Sequence, residues 1–567
     1  MKANQKTLFF ILTGICVLVL LPFLGMTFFH TKGEPREAVV ALSMLQYDNW
    51  ILPINNGVDI PFKPPFFHWC IAIFSTLTGH VSEYTSRLPS AIALIIMILT
   101  CFRFYAPRSG KDIAFLTSLI TLTNFEIHRA GMNCRVDMVL TAFIVLALFR
   151  FFQWYEHKQK GIPWLAILFM SGATLTKGPV GIILPCFVTG VFLLIKGAKF
   201  WRTVFSLIGF ALLACILPSL WYIAAYQEGG DTFLSLAIEE NFGRFLGKMS
   251  YESHENPWHY NVTSVLAGFT PYTLLALFSL VFLPYRKLKT ITFPHSWKHI
   301  LTRIRQTDDV RLFSFLSFLL IFIFYCIPKS KRSVYLMPIY PFIAYFLSYY
   351  ILWLTKKAPN ALTVFRYALS IISLLLLCTF AAVKLGWIPD TIFQGKHAAE
   401  NIAYMNALKE LPIDFLTGIL LTLSFLLAIG SLTYSRLKNT YGSLAIIISL
   451  FLSLDGVYQP AILNTKSDKN IAKEIRRIVP NGKIYSYISA DVPRYFTINF
   501  YNNDRITVFD EPGMPSTGYL LVGEKDFKIV EKEYGTHYKF TDIYNSHKRS
   551  CDTKEIVHLY TFESIPH

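Results

Sequence analysis

Long apolar runs alternate with short charged collars over most of the chain. A bilayer crossing needs about 20 apolar residues. Runs of that order lie at 8–29, 88–106, 112–128, 136–153, 162–176, 179–195, 204–226, 262–284, 312–327, 333–354, 367–387, 412–434 and 440–456. The pattern predicts a polytopic α-helical membrane protein with about thirteen transmembrane helices. The first run follows Lys2 and Lys6 and lacks a small-residue cleavage pattern, so it reads as a retained signal-anchor helix. The shorter stretch 63–78 reads as an interfacial helix, and Gly178 and Pro179 break the 162–195 hairpin.

After residue 456 the period changes. Ile471, Ile475, Ile478 and Val479 share one helical face, and the runs KIYSYI, RITVF, YLLVG and IVHLYTF have strand character. Residues 1–456 are therefore expected to form the membrane domain and 457–567 a soluble α/β domain of roughly 110 residues with its own core.

With 53% hydrophobic and 16% charged residues, a soluble chain of this length is excluded. The net charge of +17 would suggest nucleic acid in a soluble protein. Here the basic residues gather in alternate loops (Arg103, Arg108 and Lys111; Lys158 and Lys160; Lys196, Lys199 and Arg202; 286–311; Lys356 and Lys357; Arg436 and Lys438), as orientation signals do. No nucleic-acid partner follows. The N-terminus is expected in the cytoplasm and, after an odd number of crossings, the C-terminal domain outside it. Eight of the nine cysteines lie in or beside apolar runs, so no disulfide framework is expected.

The outer side nevertheless keeps charges: Glu34, Arg36, Lys63 and Arg87, then Arg129, Arg135 and Asp137, Lys177, Arg244, and the Lys329, Lys331, Arg332 turn. Ionised groups within a turn or two of apolar helix are costly, and a local anion such as a lipid phosphate would explain them. Each cluster also has a plain structural reading. Glu34 beside Pro35 suits a helix start, Lys177 suits a helix end, Asp137 suits an ion pair with Arg135 or Arg129, and the 329–332 turn suits lipid headgroups. His254 and His259 are spaced poorly for one helical face.

Taken in order, GEPREAVVALSML, PFKPPFFHW, SRLPSA, RVDMVLTAF, LTKGPVGIILP, EENFGRFLG with HENPWHY, and PKSKRSVYLMPIYP resemble the GT-C superfamily of membrane glycosyltransferases. The similarity is to the branch of aminoarabinose lipid A transferases and relatives of protein O-mannosyltransferases. It covers about residues 1–355. It implies inverting transfer of a sugar from an undecaprenyl (polyprenyl) phosphate donor to an acceptor outside the bacterial inner membrane. Lipid A or a related surface glycan ranks first as acceptor. A protein hydroxyl is the alternative on the same chemistry, and a lipid or sugar flippase the alternative of another class.

The resemblance implies a base at Glu34 or Asp137, because a hydroxyl acceptor must give up its proton. It implies donor-phosphate contacts from Arg36, Lys63, Lys177, Arg244, Lys329, Lys331, Arg332 and Tyr335. Two positions depart from the branch: Gly33 stands where its members begin the first stretch with Asp, and Phe62 where an acid often precedes the KPP lysine. The second change leaves His254 as a lone candidate metal ligand, so no cofactor is required by the pattern, with a divalent cation the open alternative. A monomer is expected.

Overall fold

The computed structural model describes residues 4–61, 63–243, 255–283, 303–433, 439–489, 494–509 and 514–566. Among these, nine helices are long and apolar enough to cross a membrane, or up to ten if one bent pair counts as a span. They include α1 (Gln5–Leu20, continued to Phe23), α4 (Glu83–Ser109), α7 (Val136–Glu156) and α10 (Phe200–Ile238). Five more lie at Asp309–Cys326, Ser333–Lys357, Pro359–Lys384, Phe415–Thr433 and Thr440–Lys466. The segment expected at 262–284 is the bent pair, Tyr260–Gly268 and Tyr272–Phe282, which meet at 93°.

The other three expected crossings are shorter: α5 (Lys111–Leu122), α8 (Trp164–Lys177) and α9 (Val180–Ile195). At 1.5 Å per residue, fourteen residues reach only about 21 Å, less than the roughly 30 Å hydrocarbon core. Only in α5 does the apolar character serve internal packing alone; α8 and α9 pack on α7 but keep Trp164, Leu168, Ile183 and Phe187 exposed. Every residue from Ile113 to Leu122 is buried, and α7, against which α8 and α9 pack, is 83% buried over its most apolar window. Between them, Phe104 stacks on Phe149 at 4.0 Å, and Phe152 meets Phe192 and Phe313 at 5.8 and 5.0 Å.

Two helices lie outside the spans, α2 (Gly33–Tyr47) and α3 (Phe66–Thr78). The first is more than an interfacial helix, because most of Gly33–Met44 is buried between α3 and the C-terminal domain. Ser82 caps α4 through a reciprocal pair with Thr85: its hydroxyl accepts from Thr85 N at 3.2 Å, and its N–H donates to Thr85 Oγ1 at 2.9 Å.

The last span does not stop at 456. It passes through a π-helical turn, Leu454–Tyr458, and continues as Gln459–Lys466. The α/β domain follows. Its five-stranded sheet has the order β2-β1-β3-β5-β4, with β1 (Ile484–Tyr487), β2 (Ile506–Val508), β3 (Thr517–Gly523), β4 (Tyr538–Arg549) and β5 (Ile556–Ser564). Strand β1 is parallel to β2 and β3, and β5 is antiparallel to β3 and β4. Ile471 and Ile475 bury the predicted helical face against Ile484, Ile506 and Leu521.

Candidate active site

Most of the charges expected on the outer side that fall among the described residues converge at one end of the bundle, where α4 and α7 begin, α8 ends, and the chain turns between Cys326 and Ser333. Asp137 lies in the first turn of α7 and Lys177 in the last turn of α8. Each thus sits at the helix end whose dipole favours its charge. The antiparallel α7–α8 packing brings them into an ion pair, and Lys177 Nζ also lies 4.4 Å from the centre of the Tyr335 ring.

Beside this pair is a cavity of about 300 Å³ lined by Arg129, Asn133, Arg135, Asp137, Asn256, Tyr260, Lys331 and Arg332 among others. Arg129 is matched by Glu126, both of whose oxygens accept at 3.0 Å. Lys331 is 7% exposed and, among the described residues, donates to the carbonyls of Asn256 at 3.2 Å and Lys329 at 3.5 Å. Among the described residues, neither Arg135 nor Arg332 forms an ion pair with a carboxylate. Among the described residues, the cavity therefore holds three cations in excess of its own carboxylates. Burial and the nearby Arg332 and Arg36 charges pull the Arg135 pKa down, against the opposing pull of Asp137. A bound anion would relieve this.

A second cluster adjoins the first. Glu37 on α2 pairs with Lys63 through Oε1, which Arg36 also approaches at 3.2 Å, and with His68 on α3 through Oε2 at 2.9 Å. Burial alone would raise the Glu37 pKa, but Lys63, His68 and Arg36 outweigh it and hold the carboxyl well below its usual range. Burial brings Lys63 down to about 8, with Glu37 opposing the shift. The charge of Lys63 is felt by Asp137, so the two clusters form one electrostatic unit.

Glu34 has other partners from those its expected role as base requires. Its oxygens accept from Arg87 Nε at 2.8 Å and Nη2 at 3.0 Å, and Oε1 also from the Cys134 N–H at 2.9 Å. Arg87 in turn donates to the carbonyls of Leu24 and Thr27, each at 2.7 Å. Glu34 and Arg87 are 2% and 1% exposed. The pair ties α2 to α4 and to the turn after α1, and Glu34 does not line the cavity.

A family model described as dolichyl-phosphate-mannose-protein mannosyltransferase matches residues 62–222, a stretch that contains Lys63, Asp137 and Lys177. An uncharacterized protein of Aquifex aeolicus is 26% identical over 373 residues, 64% of this chain and 69% of that one. The undecaprenyl phosphate-alpha-4-amino-4-deoxy-L-arabinose arabinosyl transferase of Shewanella sediminis is 26% identical over 339 residues, 58% of this chain and 56% of its own length. The match to that transferase thus spans little more than half of it. The crystal structure of ArnT from Cupriavidus metallidurans bound to undecaprenyl phosphate is 16% identical, with a TM-score of 0.70 over 99% of this chain and 98% of that one. The chain shares the fold of that ArnT structure over nearly its whole length.

Within this shared fold the sequence-predicted residues divide into groups. Asp137, Lys331 and Arg332 line the cavity, with Lys177 and Tyr335 directly behind Asp137. Arg36 and Lys63 belong to the Glu37 cluster. Lys329 is exposed and is not part of the cavity wall. Arg244, His254 and Phe62 lie outside the described residues. Glu37, His68 and Arg135 were missed as site residues. The available signals were an acid three residues after Glu34 on the same helix and a lone histidine in the apolar run after Lys63.

The two departures also have structural counterparts. A Cβ at Gly33 would collide with the Arg135 guanidinium, which occupies the space a side chain at position 33 would need. The carboxylate that Lys63 meets comes from Glu37 on α2. Glu37 and His68 would supply two ligands to a metal, but the Lys63 ammonium holds the remaining oxygen, so the set fits an ion pair better than a divalent ion.

Proposed function

We propose that this protein is an inverting glycosyltransferase that moves a sugar from a polyprenyl phosphate to an acceptor hydroxyl at the outer face of a bacterial cytoplasmic membrane. Lipid A or a related surface glycan is the acceptor class, and the C-terminal domain lies in the periplasm. The observation that carries the reading is the cavity itself. Arg135, Lys331 and Arg332 converge beside Asp137 at one end of a membrane bundle, where the head of a bilayer-anchored phosphate ester would arrive.

The chemistry uses these groups directly. As the acceptor oxygen bonds to the anomeric carbon, the bond from that carbon to the phosphate oxygen breaks and the polyprenyl phosphate leaves with the electron pair. Arg135, Lys331 and Arg332 take up the charge that develops on it. Asp137 accepts the hydroxyl proton, and Lys177 holds its carboxylate in place. A phosphate leaves without being protonated, so one carboxylate suffices where a glycosidase needs two. The protein's own cations serve the leaving group, and the reaction as written draws on no metal.

The test uses the full chain in nanodiscs. Undecaprenyl phosphate should bind, and mass spectrometry of lipid A and of glycoproteins from cells with and without the gene should find a sugar on lipid A that depends on it. A gene-dependent sugar on protein alone would move the acceptor to a protein hydroxyl. Failure to bind undecaprenyl phosphate would sink the reading.

A further inference from the structure

Among the described residues none of the C-terminal domain lines the cavity, yet the domain grips the segment that presents Lys63. Between α2 and α3 the chain makes a tight turn closed by the Asn55–Asp59 bridge, with N–H···O distances of 3.0 and 2.8 Å. Asn56 and Gly57 at its tip have φ of 50° and 77°. The tip is pressed on β2: a Cβ at Gly57 would collide with the Thr507 side chain and lie 3.2 Å from its Cα.

One carboxylate of the domain joins the elements meeting here. Asp504 Oδ1 accepts from the Asn56 N–H at 2.8 Å and from Asn499 Nδ2 at 2.7 Å, and Oδ2 accepts from the Ser43 hydroxyl at 2.8 Å. Asn499 Nδ2 also donates to Asn56 Oδ1 at 2.7 Å. Ser43 belongs to α2, the helix that carries Arg36 and Glu37, and Asn56 to the turn that leads to Lys63. All four residues of this network are buried, at 5% exposure or less. At the rim, Arg494 pairs with Asp59 at 3.1 Å. A surface meant for a separable ligand-binding module would not bury a carboxylate against the neighbouring domain.

We propose that the C-terminal domain acts as a clamp on the donor site, with Asp504 a positioning residue that holds the Lys63 segment in register with Glu37 on α2. Its consequence for catalysis rests on the transferase reading above, whereas the clamp itself is mechanical and can be measured without turnover.

The experiment therefore has two arms, both on the full chain in nanodiscs. Hydrogen–deuterium exchange is followed for residues 48–65 and, separately, for β1, β3 and β5. Binding of undecaprenyl phosphate is titrated on the same samples. Asp504→Ala should speed exchange in 48–65 at least about tenfold, the change that loss of one charge-assisted hydrogen bond produces, with the sheet unchanged. Undecaprenyl phosphate affinity should fall several-fold. Asp504→Asn keeps an acceptor for Asn56 and a partner for Ser43 and should restore both readouts. Arg494→Ala, at the rim, gives a milder form of the same change if Asp504→Ala does not fold.

Unchanged exchange in 48–65 in the folded variants overturns the clamp. Faster exchange with unchanged affinity overturns the positioning role. If the unaltered protein binds no undecaprenyl phosphate, the transferase reading fails, and the exchange arm still decides the clamp.

Discussion

Replacing Glu34 by glutamine separates a catalytic from a structural carboxylate on one measurement each. In the structure Glu34 accepts two hydrogen bonds from Arg87 and one from the Cys134 amide, and both side chains of the pair are almost fully buried. Glutamine leaves one acceptor oxygen for three donors and places an NH₂ against a guanidinium. The Arg87 cation then stays buried without a hydrogen-bonded carboxylate among the described residues, because its other partners are neutral oxygens of Leu24 and Thr27. Removing one member of a buried pair costs about 3–5 kcal/mol, a large fraction of the stability of most folded domains. Glu34→Gln should therefore unfold at markedly lower temperature or denaturant in nanodiscs, followed by tryptophan fluorescence. Any loss of transfer should track the unfolded fraction. The double variant Glu34→Leu with Arg87→Met should recover much of the stability, since replacing both ions by apolar groups removes the uncompensated charge. If Glu34→Gln instead melts with the parent and transfers sugar 100-fold more slowly, Glu34 is the base and the assignment to Asp137 is wrong.

The same assays carry three further expectations. Asp137→Asn should retain undecaprenyl phosphate binding and lose about 10²- to 10⁴-fold in transfer; near-parental turnover would remove it from the chemistry. Arg135→Gln and Arg332→Gln should each weaken undecaprenyl phosphate binding by about 1.5–3 kcal/mol, and unchanged titrations would empty the proposed phosphate site. Lys63 loses its proton as pH rises through about 8, so donor binding should be flat below that pH and fall above it. A bound phosphate would move the inflection upward, and the inflection should vanish in Lys63→Arg.

Hydropathy made the membrane helices legible because lipid imposes one strong demand on each of them. It could not separate α5, α8 and α9 from longer crossings: α5 is as apolar as a lipid-facing helix because it is buried in protein, and α8 and α9 have apolar exposed faces but fall short in length. In the C-terminal domain, β4 escaped notice for the opposite reason. It is an edge strand, and TDIYNSHK is mostly polar with none of its residues buried. At the site, the charged motifs located Asp137, Lys177 and the 329–332 turn, but partner choice was hidden. Arg87 in an apolar helix required a carboxylate, and Glu34, 53 positions away, and Glu37 are equally plausible on sequence. Only the packing of α2 against α3 and α4 assigns one acid to Arg87 and the other to Lys63.

Gly33 has a consequence for inheritance. Its missing side chain leaves the room that the Arg135 guanidinium occupies, so an aspartate there would meet that guanidinium and hold it as an ion pair. The cavity would then lose one of its unmatched cations. Glycine and aspartate codons differ by a single nucleotide, so one point mutation can move a lineage between two charge states of the same pocket. Selection on position 33 is thereby tied to selection on position 135, and neither substitution can be weighed without the genotype at the other.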